Sequence, residues 1–220
     1  LLYYGTEEQK KKYSPNLASG EWKAAYCLTE PSSGSDANSG KTKATLSEDG
    51  SYYSITGQKM WITNGGFADL MTVFAKIGDD KNLSAFLVEA KSDGISLNPE
   101  EKKMGIKGSS TRQVFFNNVK VPIENMLNER ESGFKIALNI LNIGRIKLAA
   151  GVMGGAKATI VDSVRYASER EQFGRSINKY GAIRHKLAEQ AIRTFVIESA
   201  TYRAGQNIDD AIKSHVSEGM

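Results

Sequence analysis

Apolar residues along this chain follow two rhythms, and the change between them falls near Asn128. Before it they come in short runs cut by Gly, Asp, Asn and Ser. Trp22 to Leu28 is the first run, and Thr42 to Ser47 and Tyr52 to Thr56 flank Glu48-Asp49-Gly50, a hairpin signal. Gly57 to Thr63 continues as strand until Asn64-Gly65-Gly66 breaks it. Leu70 to Lys76 and Leu83 to Glu89 pair around Gly78-Asp79-Asp80, and Ile95 to Asn98, Thr111 to Phe116 and Val119 to Val121 complete the set. Short strands at this spacing, with no helix between them, predict an antiparallel β sandwich or barrel. Nothing alternates as strand, helix, strand, which argues against a Rossmann fold.

After Asn128 apolar residues recur three and four apart, the helical period. Gly133 opens a proline-free helix expected to reach about Arg170 and to be ended by Gly174, with Ile136, Ile140, Ile143, Ile160, Val164 and Ala167 on its spacing. Such a helix would run roughly 50 Å. Gly144, Gly151, Gly154 and Gly155 would each weaken it by about 1 kcal/mol relative to alanine; they fit a helix against which another packs closely. A second helix is expected from Lys179 to Gly205, with Ile183, Leu187, Ala191 and Phe195 near one stripe, and a third from Asp209 to Met220. Two long helices and a stump bury each other poorly, so an incomplete bundle is expected, from a chain cut at both ends or in need of a partner. At the start, Thr6-Glu7-Glu8-Gln9 has capping-box spacing, with Lys10-Lys11-Lys12 on the wet face. The fold class is therefore α+β. Residues 1–20 are expected as the end of an N-terminal helical domain, 21–128 as a middle β domain, and 129–220 as part of a C-terminal helical-bundle domain of long antiparallel helices.

Composition narrows this only a little. A chain of 220 residues, 40% hydrophobic and 25% charged, can bury a real core. The net charge of +4, from 29 Lys+Arg against 25 Asp+Glu, is spread along the chain. It reads as solvated surface rather than a nucleic-acid footprint, and it also suits a ligand carrying several phosphates. No uninterrupted apolar run of about 18 residues occurs, so no membrane span is expected. Leu1-Leu2-Tyr3-Tyr4 followed by Glu7-Glu8 does not read as a signal peptide. A single cysteine, Cys27, allows no internal disulfide and fits a reducing compartment. His185 and His215 are isolated, and no metal site is predicted.

The chemistry centres on Tyr26 to Asp36. A buried strand ends at Thr29, Pro31 cannot extend its ladder, and a small-residue loop closes on Gly34-Ser35. Spacing alone allows either a plain Ser/Gly turn or a loop whose donors approach a phosphate. The wording goes further. Cys27-Leu28-Thr29-Glu30, then Ser33-Gly34-Ser35-Asp36, resembles the first signature of the acyl-CoA dehydrogenases. Trp61-Ile62-Thr63-Asn64-Gly65-Gly66 resembles their second flavin segment, and Arg170-Glu171-Gln172-Phe173-Gly174 their third. Pro31-Ser32-Ser33-Gly34, Glu101 to Lys107 and Ile140 to Arg145 are worded most like the very-long-chain branch.

The resemblance implies FAD-dependent α,β-dehydrogenation of a fatty acyl-CoA to the trans-2-enoyl-CoA, with hydride passing to flavin N5. It implies roles by position. Thr29 would bond the pyrimidine edge of the flavin, lined also by the backbone of Tyr26, Cys27 and Leu28. Gly34 and Ser35 would meet the pyrophosphate, with Ser35 near the CoA arm. Trp61, followed by Ile62, would cover the ring, and Thr63 would bond N5; the plain alternative for Thr63 is a strand threonine satisfied locally. Arg170, with Gln172 and Phe173, would reach the pyrophosphate of a neighbouring subunit; the alternative is a cation serving a helix C-terminus. Asn142 and Arg145, one turn apart, would face the acyl-CoA, or serve helix packing.

No catalytic residue is assigned. One branch of the family has its glutamate base immediately before the matching arginine, but Gly144 stands there; in most other branches the base lies downstream, beyond Met220 here, and a fragment without it would be inactive. Glu30 and Asp36 read as loop-fixing carboxylates, and Glu189 and Glu198 as solvated helix residues. Implied partners are a fatty acyl-CoA, an electron-transfer flavoprotein and further copies of the chain, as a homodimer or homotetramer. The implied compartment is the cytoplasm of a bacterium or the matrix side of a mitochondrion. Two other readings are a non-catalytic flavin-binding scaffold and an acyl-CoA oxidase-type relative.

Overall fold

A computed structural model describes residues 1–217; the side chains of Ile143 and of residues 215–217 lie outside the described ones, and the expectations for Ile143, His215 and Met220 lie there too. The chain forms two compact units, residues 1–139 and 140–220.

The first unit begins with helix α1 (Glu7–Ser19). Thr6 and Gln9 close the predicted capping box, each side chain bonding the other's backbone N–H, and Gly20 ends the helix in the left-handed conformation. Gln9 Nε2 donates to the carbonyls of Glu124 and Met126, and Tyr13 is fully buried beside Asn125, which docks α1 on the sheet.

The strands are β1 (Ala24–Cys27), β2 (Lys43–Leu46), β3 (Tyr52–Thr63), β4 (Leu70–Ile77), β5 (Ser84–Glu89), β6 (Ile95–Leu97), β7 (Thr111–Pro122) and β8 (Met126–Leu127). They hydrogen-bond in the order β6-β7-β3-β2-β4-β5-β8, with β1 added alongside β4. Pairing is antiparallel except that β1 and β2 each run parallel to β4. The predicted hairpins β2–β3 and β4–β5 both form. Tyr52–Thr56 continues into Gly57–Thr63 as expected, and the separately expected Thr111–Phe116 and Val119–Val121 fuse into one strand. Register shifts in the β3–β7 ladder absorb the irregularities that look like breaks in sequence.

Strands β4 and β5 are mostly apolar and buried along nearly their whole length because both of their faces are covered. One face, with Val73, Met71, Phe86 and Val114, packs inside the sheet. The other, with Phe74, Leu70 and Leu87, packs under Tyr13 of α1 and under Ile136 and Ala137.

Helix α2 (Gly133–Glu169) starts on the first unit and crosses into the second. It ends at Glu169, not at Gly174. Phe173 (φ 53°) and Gly174 (φ 75°) instead form the two-residue turn of a small hairpin between β9 (Glu171–Gln172) and β10 (Arg175–Ser176). Positive φ at both turn residues is what such a tight hairpin requires. Helix α3 (Gly181–Ser217) is continuous where two helices were expected, and a Gln206–Asp210 side-chain bond at i,i+4 spans the expected break. Its inner stripe is also shifted: Ile183 and Leu187 are half-buried as predicted, but Thr194 is the buried position and Phe195 is 71% exposed. Around Gly144, Gly151, Gly154 and Gly155 there is open space, with no closely packed helix among the described residues. A stretch of α2 is long and apolar enough to cross a bilayer, with a mean hydropathy of 1.4, a property that core helices of bundles share.

Candidate functional site

The first segment is built by the end of β1. Alternation sends Ala25 and Cys27 into one core face and Tyr26 and Leu28 into the other. Tyr26 meets Phe74 edge-on at 5.1 Å, its hydroxyl buried without a hydrogen-bond partner and its acidity suppressed by burial. Burial likewise pushes the Cys27 thiol up to about 12, against the opposing pull of the Lys59 charge, so it is inert at neutral pH. Thr29 is half-buried, and its hydroxyl bonds nothing among the described residues.

After Thr29 the chain folds back on itself. The backbones of Glu30 and Ser33 exchange two hydrogen bonds, at 3.0 and 3.1 Å, and the Ser33 hydroxyl donates to the Asp36 carbonyl at 2.7 Å. Glu30 fixes the loop as expected: its carboxylate accepts from the N–H groups of Lys41 and Thr42 and from Lys59 Nζ. Asp36 fixes it differently, through its carbonyl; its side chain is exposed. Gly34 and Ser35 stand exposed at the tip, and a side chain at Gly34 would meet nothing within 4 Å. Among the described residues nothing demands glycine there.

The second segment lies directly beside the first. In the β3–β7 ladder Lys59 faces Val114 and Ile62 faces Arg112, so Met60 and Trp61 together oppose Gln113. This bulge frees the Met60 N–H from the ladder, and it donates at 2.8 Å to the carbonyl of Thr29. Trp61 sits at the bulge with φ 56°, a left-handed conformation that bulky residues rarely adopt, and its indole is 61% exposed. Ile62 is buried and anchors the strand, while Thr63 is exposed with a hydroxyl free of any partner among the described residues. The following turn is fastened from β7: the Gly66 N–H donates to Ser110 Oγ, which donates to Glu100. Glu100 also accepts from Arg112 and from the Thr111 N–H.

The third segment belongs to the second unit. Arg170 N–H closes the end of α2 on the Tyr166 carbonyl, and its own carbonyl accepts from Ile177. Its guanidinium is exposed and makes no ion pair among the described residues. The Gln172 carbonyl is held by the Tyr180 hydroxyl at 2.8 Å, and Phe173 is 94% exposed at the hairpin tip. Asn142 and Arg145 share a face of α2, joined at 2.9 Å, and both are exposed. Glu189 and Glu198 pair with Arg193 and Lys157 on helix surfaces.

The structure thus brings Tyr26 to Thr29 against Met60 to Thr63. Sequence reasoning missed what holds them there, the buried Lys59–Glu30 pair and the Glu100 network. The first had a signal, a lysine directly before the apolar Met60-Trp61-Ile62 of a strand.

Residues 25–119 match the acyl-CoA dehydrogenase middle domain and residues 131–218 the C-terminal domain of the same family. The chain belongs to the acyl-CoA dehydrogenase family. It is 49% identical over its whole length to a probable acyl-CoA dehydrogenase of Bacillus subtilis, of which it covers 37%. It is also 49% identical to the human mitochondrial very long-chain specific acyl-CoA dehydrogenase, with 95% of this chain and 33% of that one aligned. Butyryl-CoA dehydrogenase from Megasphaera elsdenii superposes with a TM-score of 0.87 at 39% identity, covering 96% of this chain and 55% of that one. A Bacillus anthracis acyl-CoA dehydrogenase solved with FAD gives 0.85 at 52% identity, over 91% of this chain and 35% of that one. The chain therefore spans about a third of the length of these curated relatives.

Proposed function

We propose that this protein is an FAD-dependent dehydrogenase of fatty acyl-CoA thioesters, yielding the trans-2-enoyl-CoA. The observation that carries the reading is the 2.8 Å bond from Met60 N–H to the Thr29 carbonyl, which sets beside each other two segments bearing two hydroxyls with no partner among the described residues and an exposed indole. These residues fit an isoalloxazine: a planar ring needs an apolar plate and donors at its polar edge. Bound there, FAD supplies the two-electron acceptor for hydrogen loss from Cα and Cβ of the thioester.

Thr29 would donate to the pyrimidine edge of the ring, where negative charge grows on reduction. Thr63 would donate at N5, and Trp61 would cover the ring and exclude water. The backbone of Tyr26, Cys27 and Leu28 would line the same edge, with Gly34 and Ser35 toward the pyrophosphate. Arg170, with Gln172 and Phe173, would hold the pyrophosphate of a neighbouring copy, since a guanidinium fork suits paired phosphate oxygens. Asn142 and Arg145 would face the acyl-CoA. The general base is assigned outside these residues, because Gly144 carries no carboxylate. Electrons would leave for an electron-transfer flavoprotein.

The test is a visible spectrum of the full protein with FAD, before and after anaerobic addition of a long-chain acyl-CoA. A flavin band that bleaches is the expected result. A band that no chain length bleaches would favour a flavin-binding scaffold, and no bound flavin at all would overturn the reading.

A further inference from the structure

We propose that Lys59 is a positioning residue for the flavin segment, clamping Thr29 from beneath together with Glu30. The proposal rests on the reading of Thr29 as a flavin contact.

Lys59 is fully buried in the middle of β3, an expensive place for an ammonium. Its Nζ donates to the Leu28 carbonyl at 3.1 Å and to Glu30 Oε1 at 2.7 Å, the residues on either side of Thr29. The next residue, Met60, holds the Thr29 carbonyl itself. Residues 28, 29 and 30 are therefore each held by residue 59 or 60. Glu30 is anchored in turn by the N–H groups of Lys41 at 2.5 Å and Thr42 at 3.0 Å. The strands close tightly around this knot: a Cβ at Gly57 would come within 2.4 Å of the Thr42 hydroxyl.

Stability alone does not account for the arrangement, because well-packed apolar residues commonly replace a buried ion pair without loss. What apolar residues cannot do is grip a carbonyl and a carboxylate on both sides of one threonine. The clamp fixes the backbone of Thr29 and leaves its hydroxyl uncommitted. A donor held in place before the ligand arrives pays no reorganisation on binding.

The experiment compares the full parent protein with the double variant Lys59→Met/Glu30→Gln, which removes both charges and strands neither. The apo proteins are titrated with FAD by fluorescence, and melting temperatures and bound-flavin spectra are recorded. The expected result is a melting temperature close to the parent's, an FAD Kd weaker on the order of 10- to 100-fold, and a shifted flavin band. Adding Thr29→Val to the double variant should cost little more, because the clamp and the hydroxyl act as one unit. Parent affinity and spectrum in the double variant would overturn the proposal. So would an affinity loss explained by unfolding at the assay temperature in both the double variant and Glu30→Gln, the single change that keeps the oxygen shared by Lys59 and the Thr42 N–H and gives up the one facing the Lys41 N–H. Should the double variant alone fail to fold, weaker FAD binding by folded Glu30→Gln supports the clamp and unchanged binding overturns it. A parent that binds no FAD would instead sink the flavin reading itself.

Discussion

The two units solve the same problem, where to put apolar side chains, in opposite ways. In the first, Ile55, Val73, Phe74, Phe86, Val114 and Val119 are buried on the two faces of one sheet, with α1 and the start of α2 closing the outer face. In the second, among the described residues, only Ala167 and Thr194 are buried, while Leu148, Val161, Phe195 and Tyr202 are each more than 60% exposed. Each strand of the sheet finds neighbours within the chain. Two helices offer each other one stripe apiece and leave the rest of their apolar surface outward. The candidate site residues divide the same way: Thr29, Trp61 and Thr63 have their surroundings set by their own unit, whereas Arg145 and Arg170 stand in the open among the described residues.

The largest effect that tests this contrast is a pair of aromatic truncations. Phe74→Ala should cost about 3–5 kcal/mol, from lost burial plus the cavity beneath Tyr26. Phe195→Ala should change stability by less than about 0.5 kcal/mol. Urea unfolding followed with one probe in each unit would decide. Equal costs would show that the outer face of α3 is covered in solution, by another copy or by further chain.

The charged pairs repeat the comparison. Burial pulls the Lys59 ammonium below the ordinary lysine range against the attraction of Glu30, while Glu30, despite its own burial, is held below the ordinary carboxylate range by Lys59 and the loop N–H groups. Lys59→Met leaves Glu30 buried without its cation and should cost about 3–5 kcal/mol. Lys157→Met breaks an equally short pair, 2.6 Å to Glu198, on the surface of the helical unit and should leave the denaturation midpoint unchanged. A comparable loss in both would mean that the 157–198 contact is not a solvated one.

How much of this was legible in sequence follows the same division. The β hairpins, the capping box at Thr6 and the start of α2 at Gly133 rest on local chemistry, and each forms where expected. The errors lie where tertiary context decides. Gly174 reads as a helix stop until the hairpin reveals it as half of a turn. Phe195 reads as core on helical period, but the true seam of α3 drifts to Thr194. The candidate flavin segments rest on their wording. Their adjacency was not legible, because it depends on a bulge at Met60-Trp61 and on a lysine 29 residues from its carboxylate.

The bulge supplies a smaller test. Trp61 holds a left-handed backbone that glycine adopts freely, so Trp61→Gly should stabilise the first unit by about 1 kcal/mol while removing the exposed indole. Rising stability with falling flavin affinity would mark the strain as serving the site. A loss of stability would mean that the indole packs on the unit more than its 61% exposure indicates.

The smallest effect concerns pH and the turn that follows Thr63. Bonds from the Ser110 hydroxyl, Arg112 and the Thr111 N–H hold the Glu100 carboxyl at about 2, below its ordinary 4.5. A carboxyl depressed by folding adds stability above its unfolded value, and that contribution is lost as the pH falls toward the folded one. The turn over Asn64 to Phe67 should therefore loosen between about pH 4.5 and pH 2. Hydrogen exchange at the Gly66 amide, whose N–H ends this chain of bonds, reports on it directly. In Glu100→Gln the acid-induced part of the exchange should disappear, with faster exchange at neutral pH. An unchanged acid limb in the variant would assign the loosening to another carboxylate of the first unit, and Asp49, held at about 2 by Ser47 and Ser51, is the next to replace.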